Sequence, residues 1–229
     1  MNNRMTLFAY PQKAAFGRIL PKTKIYQYAG PSTAMKKLFV DQVDQIAWAY
    51  KLAPETINIK ATKAVPEIQV FTIALKTGEL KEDVLRCIDK AIPFPILFEL
   101  AYDSKVKAVA CYKRPNEADS TKWVLSSYFE TPWLAAEAKR TALPITLDLA
   151  ALYAELLRAI IPHPAIQGES LSDHIVRVDA IRARQKEVTK AEARLGREKQ
   201  FNRKVEINAN IRTIQQEIAD LTGKTSRSE

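Results

Sequence analysis

Residues 66–80 read PEIQVFTIALKTGEL. In an extended chain Ile68, Val70, Thr72 and Ala74 fall on one face and Gln69, Phe71, Ile73 and Leu75 on the other, because side chains of a strand alternate. Both rows are largely apolar. A strand that must be covered on both sides belongs in the middle of a sheet, with layers packed over each face. Thr77-Gly78 breaks the run. Beyond it, Leu80, Val84, Leu85 and Ile88 recur at helical spacing and predict a short amphipathic helix.

Working outward from this strand, FPILFELAY (94–102) and VKAVACYKR (106–114) read as a hairpin turning around Asp103–Lys105. KWVLSSYFE (122–130) reads as a further strand. On the other side, ETINIKATK (55–63) alternates Ile57 and Ile59 with polar residues, as a half-buried strand does. Ser32 is placed to cap a helix over TAMKKLFVDQVDQIAWAYKL (33–52), where Met35, Leu38, Phe39, Val43, Ile46, Ala47 and Tyr50 step by threes and fours. Residues 10–32 carry enough Pro and Gly to read as loop. ITLDLAALYAELLRAII (145–161) predicts an apolar helix stopped by PHPAIQG. Helices and strands do not alternate regularly. The expectation is therefore an α+β fold: a mixed or mainly antiparallel sheet flanked by helices, over residues 1–165.

From Ser170 to Thr222 there is no proline and one glycine, Gly196. Ile207, Ile211, Ile214, Ile218 and Leu221 step by 4, 3, 4 and 3, the spacing of a coiled-coil seam. Leu171, Ile175, Val178, Arg182 and Gln185 repeat that stepping, with polar residues at the last two sites. The two stripes change phase between Leu195 and Phe201, which suits two helices joined near Gly196 or one helix with a stutter. Residues 166–229 are thus expected to form a helical hairpin or coiled-coil arm. Its seam needs a partner helix from the same chain, a twin chain or another protein.

The formal net charge is +9 and is uneven. Residues 1–65 hold ten basic residues against three acidic ones, the middle is near neutral, and Arg182–Lys204 holds nine against three. Lys22, Lys24, Lys36 and Lys37, among the aromatics of the N-terminal region, are candidate phosphate contacts, as are Arg197, Lys199, Arg203 and Lys204. Arg4, Lys13 and Arg18 belong to the same N-terminal basic set. IAWAYKL (46–52) offers Trp48, Tyr50 and Lys51. They suit either an aromatic-basic surface or core packing with Lys51 at a helix C-terminus.

Phosphate-cradling glycine motifs and a nucleophile elbow are missing from a chain with six glycines. His163 and His174 lack the companions a zinc site needs. Cys87 and Cys111 read as buried hydrophobes. No catalytic, metal or cofactor assignment follows. One enzymatic alternative is a Mg²⁺-dependent nuclease centred on Glu67 and Gln69, with Asp41 or Asp44 as a second carboxylate. Glu99, within an apolar strand, needs a partner, and Lys113 on the next strand is the expected one. Apolar runs fall short of the ~20 residues of a membrane span, and the chain reads as cytoplasmic.

The blocks KKLFVDQVDQIAWAYKLAPETINI, EIQVFTIALK, IDKAIPFPILFEL and EKQFNRKVEINANIR together resemble a bacterial family known as domain of unknown function 4391. The resemblance runs roughly from Leu20 to Leu221. It implies a setting beside helicases and DNA methyltransferases, in loci resembling restriction or antiphage systems. It supplies no catalytic residues. The expectation is a non-catalytic accessory subunit that binds a helicase- or methyltransferase-type protein partner, the seam Ile207–Leu221 serving as the partner surface, and that also touches DNA. A homodimer through the arm, without a nucleic-acid role, is the other alternative.

Overall fold

The computed structural model describes residues 6–116, 118–119 and 122–223. Arg4 lies outside them. The chain divides into two compact units, Met1–Pro162 and His163–Glu229. The fold is α+β.

The first unit is built on one sheet. Its strands are β2 (Ala15–Ile19), β3 (Val43–Leu52), β4 (Ile68–Leu75), β5 (Ile96–Tyr102), β6 (Lys105–Pro115) and β7 (Trp123–Glu130), hydrogen-bonded in that order, and a short strand β8 (Leu134–Ala135) also pairs with β6. Every pairing is antiparallel except β4 with β5, which run parallel. A separate parallel pair joins β1 (Phe8–Ala9) to β9 (Thr141–Ala142). Strand β4 is interior, and Ile68, Val70, Phe71 and Ile73 on its two faces are almost wholly buried. Phe71, Ile73, Phe98 and Leu100 share a core with Ile25 of helix α1 (Lys22–Ala29), Phe39 of α2 (Thr33–Gln42), and Val84, Leu85 and Ile88 of α4 (Glu82–Ala91). Helix α5 (Leu149–Ile160) packs on β6, and its Tyr153 hydroxyl donates to the Cys111 carbonyl at 2.7 Å and accepts from the Lys113 amide at 3.0 Å.

Three expectations are corrected. The helix opened by Ser32, whose Oγ accepts from the Met35 amide at 3.2 Å, ends at Gln42, and residues 43–52 form β3. Register shifts between Val43 and Gln45 and between Trp48 and Tyr50 break the strand's alternation. A bulge sets two residues opposite one, so buried Val43 and Ile46 stand three apart and imitate a helical step. Residues 55–63 form no strand. Instead Pro54–Ile57 make one helical turn, α3, in which Thr56 Oγ1 accepts from the Ala53 amide at 2.9 Å, and Asn58 closes it at φ 54°. Only Lys60 makes a β-bridge, to Asp148. The N-terminal region is not plain loop: it forms β1, a 3-10 turn, β2 and α1, which Gly30 ends in the left-handed region at φ 57°.

The second unit is a pair of helices, α6 (Leu171–Arg197) and α7 (Phe201–Leu221). Arg184 Nε meets Glu217 Oε2 at 2.8 Å, and Arg177 donates to the Leu221 carbonyl at 3.1 Å. Contacts that advance along one helix and retreat along the other define an antiparallel hairpin. Ile211 and Ile214 of the seam are buried, with Ile207, Ile218 and Leu221 partly covered, while α6 buries Ile175, Val178, Ile181 and Ala191. Within this unit the seam therefore packs in cis, and Ile181 takes the inward place that the heptad spacing gave to Arg182.

Arg177 holds the hairpin's open end. It donates to both carboxylate oxygens of Glu169, at 2.6 and 2.8 Å, and to the Pro164 carbonyl at 2.9 Å. The guanidinium holds the Glu169 carboxyl down to about 2. A carboxyl depressed on folding contributes stability above its ordinary value and loses it as pH falls through the folded value. Glu169→Gln is expected to cost about 1.5–3 kcal/mol at neutral pH, the range for hydrogen bonds to charged groups. That difference from the native chain should close as pH falls toward about 2. Amide exchange protection across α6, measured against pH, checks this; a pH-independent difference would sink it.

Candidate nucleic-acid interface

Strand β4 begins with Glu67 just outside it and Gln69 inside it, on the face that carries Phe71. The backbone register sets Phe71 opposite Trp48 of β3 on one side and Phe98 of β5 on the other. Their rings form a row: Phe16 lies 4.0 Å from Trp48, Trp48 stacks on Phe71 at 6.0 Å, and Phe71 lies 6.5 Å from Phe98. Helix α1 rises along one side of this row and brings Lys24 and Tyr28. The end of α4 and the turn after it bring Lys90, Pro93 and Phe94 from another side, and β7 adds Trp123. Between them lies a groove of about 1120 Å³, whose lining also includes Arg18, Trp48, Glu67, Gln69 and Phe71.

Its charge is ordered. Arg18, Lys24 and Lys90 are exposed at the rim, and Tyr28 is 70% exposed beside them. The Arg18 guanidinium sits over the Phe16 ring at 4.7 Å. Among the described residues Glu67 is the single carboxylate of the lining. Gln69 Nε2 donates to Glu67 Oε1, and Lys51 Nζ lies 3.4 Å from Glu67 Oε2 and 2.7 Å from Glu55. Lys51 is therefore not a helix cap. Its two carboxylate neighbours raise its pKa, the Glu55 hydrogen bond first. Trp48 is both core and groove wall, with its indole N–H tied to the Tyr50 carbonyl at 2.9 Å. Tyr50 turns to Tyr10, 4.7 Å away.

The wall formed by α4 has a buried support. Lys113 of β6 donates from Nζ to the Asp89 and Ile92 carbonyls at the helix end and lies 3.4 Å from Asp89 Oδ1, with both side chains almost wholly buried. The Tyr128 hydroxyl donates to Asp89 Oδ2. The same ammonium sits 5.6 Å from the centre of the Trp123 ring. Lys113 thus fixes the turn that carries Phe94 and stands under Trp123.

Within the first unit, the basic residues expected from the sequence have different surroundings. Lys24 reaches the groove. Lys22 instead donates to the Val43 carbonyl, and burial lowers its pKa. Lys36 lies over the Tyr26 ring at 5.7 Å, and Lys37 is exposed on α2. Arg197, Lys199, Arg203 and Lys204 sit at the turn of the helical hairpin, where Glu198 accepts from the Lys199 and Gln200 amides and Phe201 is 77% exposed. Asp41 and Asp44 are at the far end of the β3–β4 ladder from Glu67, since Val43 pairs with Leu75 while Leu52 pairs with Ile68. Among the described residues no group of three or more His, Cys, Asp or Glu is placed to hold a metal ion. Glu99 pairs with Arg140, at 2.7 and 2.9 Å, and not with Lys113.

Lys90, Phe94 and Trp123 escaped sequence reasoning. Lys90 lies in the chain's neutral middle, and only the crossover from β4 through α4 to the parallel strand β5 returns it to the start of β4. Proline on either side of Phe94, in IPFPI, was the available signal for a ring held on a rigid turn.

In structural terms the first unit is an α+β domain with a basic, aromatic-lined groove over one end of its sheet. By sequence, the chain belongs to the family described as Domain of unknown function (DUF4391), whose model matches residues 8–218. No curated protein and no solved structure matches it. No helix of the described residues is long and apolar enough to cross a membrane.

Proposed function

We propose that the chain is a non-catalytic accessory subunit of a bacterial DNA-processing or antiphage defence assembly, and that its own task is to hold single-stranded DNA in this groove. The accessory role follows the setting implied by the family resemblance, beside helicases and DNA methyltransferases. The observation that carries the nucleic-acid part is the groove's composition. Three exposed cations, Arg18, Lys24 and Lys90, rim a trough walled by the partly exposed rings of Trp48, Phe94 and Trp123 together with buried Phe71. Cations that track phosphates and rings on which bases stack are the two parts of a single-strand site. An acidic peptide would answer the charge but would leave the rings without flat partners. A duplex would answer the charge with its bases hidden.

The test is fluorescence anisotropy of the whole chain with labelled single-stranded DNA, single-stranded RNA and duplex, across salt. Three phosphate contacts predict a log–log slope near −2, at about −0.7 per contact on a single strand. Arg18→Ala, Lys24→Ala and Lys90→Ala should each weaken binding and flatten the slope by about 0.7. Failure to bind any single strand at low salt would remove the reading and leave the homodimeric structural alternative, which light scattering examines directly. Cleavage of DNA with Mg²⁺ that is lost in Glu67→Ala would replace it with the nuclease.

A further inference from the structure

Phosphate binding has no use for a carboxylate, yet Glu67 lines the groove beside Gln69. The carboxylate is held but not used up. Gln69 Nε2 donates to Oε1, and Lys51 Nζ stands 3.4 Å from Oε2 while sharing its charge with Glu55 at 2.7 Å. A carboxylate offers about four lone-pair sites, so each oxygen keeps room to accept. Gln69 is 3% exposed and sits on an interior strand, with its backbone amide donating to the Pro95 carbonyl at 2.9 Å. An ion pair that merely closes the β3–β4 connection would account for Glu67 and Lys51. It would not account for a fixed amide in the lining of an aromatic groove, where an apolar side chain would pack without needing a partner.

We propose that Glu67, held in place by Gln69, reads the Watson–Crick edge of an unpaired base held against these rings, and that the base it favours is guanine. This rests on the nucleic-acid reading above. Unpaired bases stacked on aromatic side chains are commonly read along that edge. Guanine presents two adjacent donors there, N1–H and the N2 amino group, which match the two oxygens of one carboxylate. Adenine and cytosine present one amino group beside a ring nitrogen that is itself an acceptor and faces the carboxylate unfavourably. Thymine presents one N–H between two carbonyls, the poorest match. Arg18, Lys24 and Lys90 then hold the flanking phosphates, which carry no sequence information.

The experiment uses the full chain and labelled oligothymidylates that differ at one central position, which is dT, dG, dA or dC. The dG oligonucleotide is expected to bind about tenfold tighter than the all-dT one, within the range of a good bidentate base contact. Glu67→Gln should collapse that ratio to about twofold or less by replacing one acceptor oxygen with a donor. Lys24→Ala should weaken both oligonucleotides and leave the ratio standing, because it touches phosphate only. Equal affinity for dG and dT in the native chain, or a preference retained in Glu67→Gln, overturns guanine reading while single-strand binding survives. Absence of binding to every oligonucleotide at low salt overturns both, and an acidic aromatic peptide that binds where no oligonucleotide does makes the groove a protein site.

Discussion

Lys113→Met is expected to remove about 3–5 kcal/mol of folding stability at neutral pH, the cost of breaking a buried charge pair by deleting one member. Lys113 Nζ and Asp89 Oδ1 are 3.4 Å apart in side chains that are 0% and 1% exposed. Burial pushes the Asp89 carboxyl up, against the opposing pull of Lys113 and Tyr128. It pushes the Lys113 ammonium down, against Asp89. The raised acid favours folding below the ordinary carboxylate range and loses that contribution as pH rises through its folded value. The lowered base favours folding above the ordinary lysine range and loses that contribution as pH falls through its own folded value. Between the two values each charged form carries a desolvation cost, so the pair as a whole stabilises little and either charge alone costs much. The double substitution Lys113→Met with Asp89→Asn should accordingly recover most of the loss, because the amide oxygen still accepts from Tyr128. Urea unfolding of the four chains measures this. A Lys113→Met chain within about 1 kcal/mol of the native one would sink the argument, and so would a double substitution that simply adds. Lys113 also holds the Ile92 carbonyl beside Phe94, so oligonucleotide affinity should fall in the same single variant even where it remains folded.

The pairing of Lys113 shows what a sequence does and does not disclose. That Glu99 is buried and needs a cation is legible from the apolar residues around it. Which cation is not. Phe98 and Leu100 turn toward α4, so Glu99, between them, turns to the other face, where Arg140 arrives from beyond β8. Lys113 faces α4. One residue of parity separates the two faces, and the register shift between Cys111 and Lys113 makes counting along β6 unsafe. The same physics hid β3. Its two bulges replaced an alternating pattern with steps of three, and the strand read as a continuation of the helix before it. By contrast β4, without an irregularity in its pairing to β5, was legible residue by residue, including the face shared by Gln69 and Phe71. The helical arm was legible from the spacing of its isoleucines, but whether it was a hairpin or one helix with a stutter was not, because a seam records that a partner helix is needed and not where it comes from. The groove falls between these cases. Glu67, Gln69, Trp48 and Lys24 stood out as types of residue. Their union with Lys90, Phe94 and Trp123 depends on where a crossover helix and a distant strand deliver them, which no local pattern encodes.

Arg140→Met carries a comparable cost, about 3–5 kcal/mol by the same reasoning, at a second centre of the first unit. The guanidinium makes a bidentate pair with Glu99, 2.7 and 2.9 Å, and a third bond to the Phe8 carbonyl at 2.8 Å. Glu99 is 5% exposed on β5. Planar bidentate pairing is the strong form of this interaction, and methionine fills the space without replacing any of it. Tyr10 closes the site. Burial first, and the Glu99 carboxylate second, push its hydroxyl well above the usual phenol range, so Tyr10 stays neutral and offers Glu99 no charge. Loss of Arg140 therefore leaves a buried carboxylate beside a neutral ring. Arg140 precedes β9 directly, and its bond to Phe8 crosses to β1, so the variant should also free the β1–β9 pair, which has two residues in each strand and little else of its own. Hydrogen exchange separates the two effects. Amides of Phe8, Ala9, Thr141 and Ala142 should lose protection at denaturant concentrations where β4 and β5 keep theirs. Glu99→Gln in the same chain should restore most of the global stability and none of the β1–β9 protection, since the amide relieves the buried charge but cannot reach the Phe8 carbonyl in place of Arg140. If both recover together, Arg140 acts only through Glu99; if neither changes in Arg140→Met, the pair is an incidental contact and β1 is held without it, by buried Leu7 and Phe8 and by the Thr141 amide that donates to the Leu7 carbonyl at 2.8 Å.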